Sequence, residues 1–93
     1  MIFKRKRFYI CSVCGFDKLP GPLYSETGIP DVSLICRCCG FQSGFDDAEL
    51  GYSFESYRNE WIQNGAEWFR KAEKPVNWDL VKQLSNINIR AFI

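Results

Sequence analysis

Apolar positions fall into two regimes along these 93 residues. Before residue 45 they come in short runs broken by Pro and Gly; beyond residue 53 they recur at helical spacing. Phe54, Tyr57, Trp61, Gly65, Trp68 and Ala72 step by 3, 4, 4, 3 and 4. At about 100° per residue that spacing places them on one face. Ile62 and Phe69 widen the face, while Glu60, Gln63, Glu67, Arg70 and Lys71 take the other side. The pattern predicts a helix packed by its aromatic stripe, running from Phe54 to the break at Lys74-Pro75. Ser53 is its expected N-cap, Glu55 lies in the favourable first turn, and Glu67 with Lys71 forms an i,i+4 pair. Gly65 on the apolar face implies either a close backbone approach or a break between two helices. Asn77 can cap a second helix, with Asp79 in its first turn and Leu80, Val81, Leu84 and Ile87 as its buried side. Ile87, Ile89, Ala91 and Ile93 then alternate with polar or outward positions, which fits a last strand beside the N-terminal one.

The first half reads as strands joined by tight turns. Phe3 through Ile10 is the first. Residues 17–31 are loop-like, punctuated by Pro20-Gly21-Pro22 and Gly28-Ile29-Pro30-Asp31, with a short strand at Leu23-Tyr24-Ser25. Asp31 to Ile35 alternates and Phe41-Gln42-Ser43 continues it. The expected fold class is α+β in a single domain. A small antiparallel ribbon over residues 1–45 packs against two helices, and residues 46–93 supply an acidic joint, a helical cover and the terminal strand.

Chemistry enters with a repeat. Ile10-Cys11-Ser12-Val13-Cys14-Gly15-Phe16 recurs as Ile35-Cys36-Arg37-Cys38-Cys39-Gly40-Phe41. Two thiols separated by two residues can face one ion if the chain turns tightly. The Gly that follows suits the turn, and backbone N–H groups can then face the sulfurs. Cys11, Cys14, Cys36 and Cys39 are therefore the expected ligands of one tetrahedral zinc ion, with iron in the same four thiolates as the minority alternative. The gap of 21 residues between Cys14 and Cys36 is slightly long for such sites. Five cysteines is an odd number, and Met1 to Tyr9 lacks the apolar core of a signal peptide, so disulfides are not expected. Cys38 is either an alternative ligand or a bystander near the ion.

The paired turns resemble rubredoxin-type knuckles, the building blocks of zinc ribbons. Rubredoxins often carry Pro after the first cysteine of the second knuckle. Arg37 stands there instead, and with the helical tail this argues against electron transfer. The longer pattern resembles small, uncharacterised cysteine-rich bacterial proteins. It comprises the Cys-x-Cys-Cys-Gly-Phe turn (36–41), Gly-Phe-Asp-Asp (44–47), Tyr-Arg-x-x-Trp-Ile (57–62) and Asn-Trp-Asp-Leu (77–80). Some of those proteins sit beside toxin genes and are suspected immunity proteins. The resemblance thus implies a zinc ribbon and a toxin-binding role.

Charge narrows the remaining readings. Lys4 to Arg7 carry +4, residues 8–93 carry −3, and metal binding would bring the formal +1 to about −1. This is not a generally basic, nucleic-acid-coating chain. The basic run reads as a solvated edge strand ahead of an anion contact. There is no His, no Gly-rich phosphate loop and no Gly-x-Ser-x-Gly turn, and a four-thiolate zinc has no open position, so no enzyme is expected. Asp46, Asp47, Glu49, Glu55 and Glu60 stand against Arg58 alone, a local −4 over residues 46–60 suited to a basic protein partner such as a nuclease toxin. Arg58 itself falls inside the apolar arc. It either pairs with Asp46 or Asp47, or lays its stem on the aromatics with its head in water. The rival functions are a nucleic-acid-binding ribbon using Lys4 to Arg7, Arg37 and the aromatics, and a structural accessory subunit. No apolar run is long enough to span a membrane, and the cytoplasm is the expected location.

Overall fold

The computed structural model describes residues 7–90. Ser53 starts the first helix, α1 (Phe54–Gln63), with a reciprocal cap: its side chain accepts from the Ser56 backbone N–H and its own N–H donates to the Ser56 hydroxyl. The aromatic stripe does what its spacing predicts as far as Trp61. Phe54 and Tyr57 meet the fully buried Phe41 edge to face, at centroid distances of 5.4 and 5.1 Å.

The helix stops ten residues in, short of the predicted end. Gly65 takes φ +97° and Ala66 φ +51°. The Ala66 N–H returns to the Trp61 carbonyl and the Gly65 N–H to the Ile62 carbonyl, which is the Schellman pairing that closes a helix with Gly just past its end. Gly65 is therefore the break. Trp68, Phe69 and Ala72 belong to the reversed chain beyond it, and a single 3₁₀ turn forms at Lys71–Glu73. Glu67 and Lys71 are 4.0 Å apart, but both are exposed and lie outside a helix, so the pair contributes little.

The second helix, α2 (Leu80–Leu84), is capped by the Asp79 carboxylate rather than by Asn77. A 3₁₀ turn at Ser85–Ile87 and a left-handed Asn88 follow it. Ile87 to Arg90 thus do not form the expected strand. The rest of that strand and most of the Phe3–Ile10 strand lie outside the described residues.

The antiparallel sheet of the expected ribbon does not form among the described residues. Three isolated bridges stand in its place, at Tyr9–Leu19, Tyr24–Pro30 and Ile35–Gln42. Side chains and proline take the backbone groups a ladder would need. The Gln42 N–H goes to the Asp46 carboxylate at 2.7 Å and the Ser33 N–H to Asp31 at 3.1 Å. Pro20, Pro22 and Pro30 have no N–H to offer. The core gathers instead around the cysteines, with Val13, Leu19, Leu23, Leu34, Phe41, Trp61 and Trp68. Among the described residues no helix is long and apolar enough to cross a membrane.

Gly15 fixes how closely α2 approaches. It sits at φ +85°, and a Cβ there would lie 2.2 Å from the Gln83 carbonyl oxygen. Gly15→Ala should destabilise by roughly 1–2 kcal/mol through left-handed strain and displace α2 as well. Thermal unfolding of the metal-loaded variant measures the loss; an unchanged midpoint would refute the close contact.

Candidate metal centre

Each knuckle is the same small circuit. The Cys11 N–H donates to the Phe16 carbonyl and the Gly15 N–H to the Cys11 carbonyl, at 2.7 and 2.8 Å. Cys36, Phe41 and Gly40 repeat this at 3.0 and 2.9 Å. The glycine N–H groups are thereby spent on carbonyls. Both turns aim their outer thiols inward. Cys11, Cys14, Cys36 and Cys39 are buried, unbridged, and hold their sulfurs within 4.8 Å of one another. Cys11 and Cys39 sulfurs lie 3.9 Å apart, and those of Cys14 and Cys36 3.7 Å. A disulfide needs about 2.05 Å. A tetrahedral ion with metal–sulfur bonds of about 2.3 Å needs sulfur–sulfur edges of about 3.8 Å. The four thiols fit a metal ion.

Without a metal, crowding splits the thiols. Burial holds Cys14 and Cys39 well above the ordinary thiol range, while S–H donors from Cys11, Cys14 and Cys39 hold Cys36 below it. Cys38 is fully buried but lies outside the four-sulfur set; its sulfur accepts the Gln83 side-chain N–H at 3.3 Å.

The outward-facing knuckle carbonyls are taken by the C-terminal half. Arg58 reaches the first knuckle, Nε to the Val13 carbonyl at 2.6 Å and Nη2 to the Ser12 carbonyl at 3.0 Å. Gln83 Nε2 takes the Cys14 carbonyl and Asn86 Nδ2 the Gly15 carbonyl. On the second knuckle, the Arg70 and Phe69 N–H groups reach the Arg37 and Cys38 carbonyls, and the Tyr57 hydroxyl reaches that of Cys39. Burial and the nearby Cys39 raise the Tyr57 pKa, which keeps its hydroxyl a donor. Arg58 thus meets knuckle carbonyls and neither Asp46 nor Asp47, with its guanidinium partly exposed. Spacing gave no sign of Gln83 or Asn86 as caps; a polar Gln83 next to Leu84 on a short apolar helix is the one hint in the chain.

The acidic residues are placed in different local settings. Asp46 and Asp47 close the turn after the second knuckle, accepting from the Gln42, Gly44 and Ala48 N–H groups. Glu49 and Glu55 are exposed. Asp46 and Glu60 come together, with Glu67, Asn64, Tyr52 and Trp61, around a hollow of about 360 Å³. Glu60 receives the Tyr52 hydroxyl, which raises the Tyr52 pKa.

Among curated proteins, the chain is 28% identical to the uncharacterized protein YozI of Bacillus subtilis (strain 168), over 89% of this chain and 88% of that protein. It is 31% identical to the uncharacterized protein YoaQ of the same organism, over 64% of this chain and 62% of that protein, so it spans under two thirds of YoaQ's length. No protein-family model matches the chain, and no solved structure matches it.

Proposed function

We propose that the chain is a non-catalytic zinc-binding interaction module, a ribbon-like knuckle pair roofed by helices, that captures a basic protein partner in the manner of a toxin-immunity protein. The observation that carries the metal role is the buried set of four sulfurs at tetrahedral-edge distances. All-thiolate coordination favours zinc over harder ions, and iron is the soft alternative. A four-sulfur shell is structural because it leaves no coordination position for water or substrate. Elemental analysis of purified protein should find one zinc per chain; a metal-free, folded protein would overturn the reading.

The hollow of Asp46, Glu60 and Glu67 supports the basic partner. Three carboxylates beside Tyr52 and Trp61 suit a lysine or arginine side chain, which pairs with carboxylate at its head and packs along aromatics with its stem. The immunity role rests on the resemblance described above and on this charge. Glu60→Gln with Glu67→Gln leaves the Asp46–Asp47 turn intact. With a basic nuclease domain drawn from the genes adjacent to its own, the double variant should bind more weakly and associate more slowly at low salt. Equal affinity and equal on-rate would sink the proposal.

A further inference from the structure

A second and larger cavity, about 960 Å³, shares no residue with the acidic hollow. Phe16, Trp68 and Trp78 wall it, each successive pair meeting edge to face at 5.7 Å. Trp78 is held in place because its Nε1 donates to Gln83 Oε1 at 2.8 Å. Its volume falls within the range of small-molecule sites, about 300–1,000 Å³. Lys18, Arg37 and Lys82 line it as well.

Of the cavity's three carboxylates, Asp17 beside Lys18 has no partner among the described residues, and the other two are committed. Glu73 holds Arg37 at 2.9 Å, and the Asp79 carboxylate faces the Lys82 backbone N–H as a helix cap. Lys18 and Lys82 have no ion-pair partner among the described residues. The Trp68 indole N–H has no hydrogen-bond partner among the described residues, but it is closed off from the cavity and takes no part in the site.

Aromatic wall and uncommitted ammonium groups together describe a receptor for a flat ring that carries an anion. We propose that this cavity binds nucleotide units, with the base against Phe16 and Trp78 and the phosphate at Lys18 and Lys82. Base–aromatic stacking tolerates any base, and phosphate contact needs only the lysines, so recognition is of the nucleotide class and not of a sequence.

The metal-loaded protein tests this through its own tryptophan emission, because Trp68 and Trp78 both line the cavity. UMP and a short oligouridylate are titrated at low salt beside ribose 5-phosphate and a polyglutamate peptide. Saturable quenching by UMP or the oligouridylate, and not by the two controls, is the expected result. Equal affinity per nucleotide for UMP and the oligomer identifies a free nucleotide as the occupant. Tighter oligomer binding, with a salt slope of about −1.4 for two phosphate contacts, identifies a single strand. Lys18→Ala with Lys82→Ala should weaken binding roughly tenfold or more while metal content and circular dichroism stay unchanged. No saturable quenching by either nucleotide ligand overturns the proposal. So does equal competition by polyglutamate, or full affinity in the double lysine variant. None of these outcomes bears on the acidic hollow, whose residues lie elsewhere.

Discussion

Stripping a metal from the four-thiol site should unfold the knuckle half of the chain and release the helices from it. Zinc binding to four-ligand sites contributes apparent free energies of about 10–16 kcal/mol at neutral pH. A domain of this size has a total stability of roughly 5–15 kcal/mol, so the ion accounts for most or all of it. The core offers no substitute, since its centre is the cysteines themselves. A strong chelator, or Cys36→Ser, should therefore red-shift the emission of Trp61 and Trp68 and abolish the cooperative thermal transition. Metal-free protein that keeps both would show that the sulfurs are not what holds the fold. Acid should act in the same direction. Protons and metal compete for the same sulfurs, and burial raises Cys14 and Cys39 above the ordinary thiol value of about 8.5. Metal affinity therefore falls as pH falls, by about tenfold per pH unit for each proton the metal must displace. Competition with a chromophoric chelator across pH measures the slope; a flat profile would refute it.

Replacing Arg58 by Ala is the largest single-residue effect expected outside the thiols. The guanidinium donates to two successive carbonyls of the first knuckle, and its removal leaves both without their partner. A hydrogen bond involving a charged group contributes roughly 1.5–3 kcal/mol. Half-burial moderates this, and about 2–4 kcal/mol is the expected loss. The unfolding midpoint should fall by roughly 4–8 °C for each kcal/mol. Arg58→Lys recovers only part, because one ammonium cannot reproduce the planar fork. Denaturant titration with metal in excess checks both variants, and parent-like stability in Arg58→Ala would disprove the role. Zinc should also leave the Ala variant faster, since the knuckle it braces carries Cys11 and Cys14.

The metal site was legible because its information is local. Two repeated heptads state which sulfurs turn inward, and folding needs only to bring the turns together. The stripe from Phe54 to Trp61 was legible for a similar reason, as helical periodicity is a property of neighbours. It misled beyond Gly65 because Trp68 and Ala72 happen to continue the step of 3 and 4 after the chain has reversed. The glycine was noticed as an anomaly, but the sequence alone could not choose between a close contact and a stop. The ribbon's strands were over-read because alternation does not reveal that Asp46 captures the Gln42 N–H. Arg58 was singled out correctly and paired wrongly. Sequence reasoning looks for a carboxylate opposite a guanidinium, whereas this one meets carbonyls 45 and 46 residues away, and every residue has a carbonyl. Asp46 and Asp47 are near enough to their own turn to be used there.

The division of labour between the two halves has a consequence for biosynthesis. All four metal-binding thiols have left the ribosome once Cys39 emerges, but the groups that brace the knuckle carbonyls arrive only with residues 57–86. Because chains emerge N-terminus first, the nascent protein can load its ion early and secure it late. A ribosome stalled between these points would display a loaded but leaky intermediate, open to exchange with whichever soft cation is most abundant in the cell.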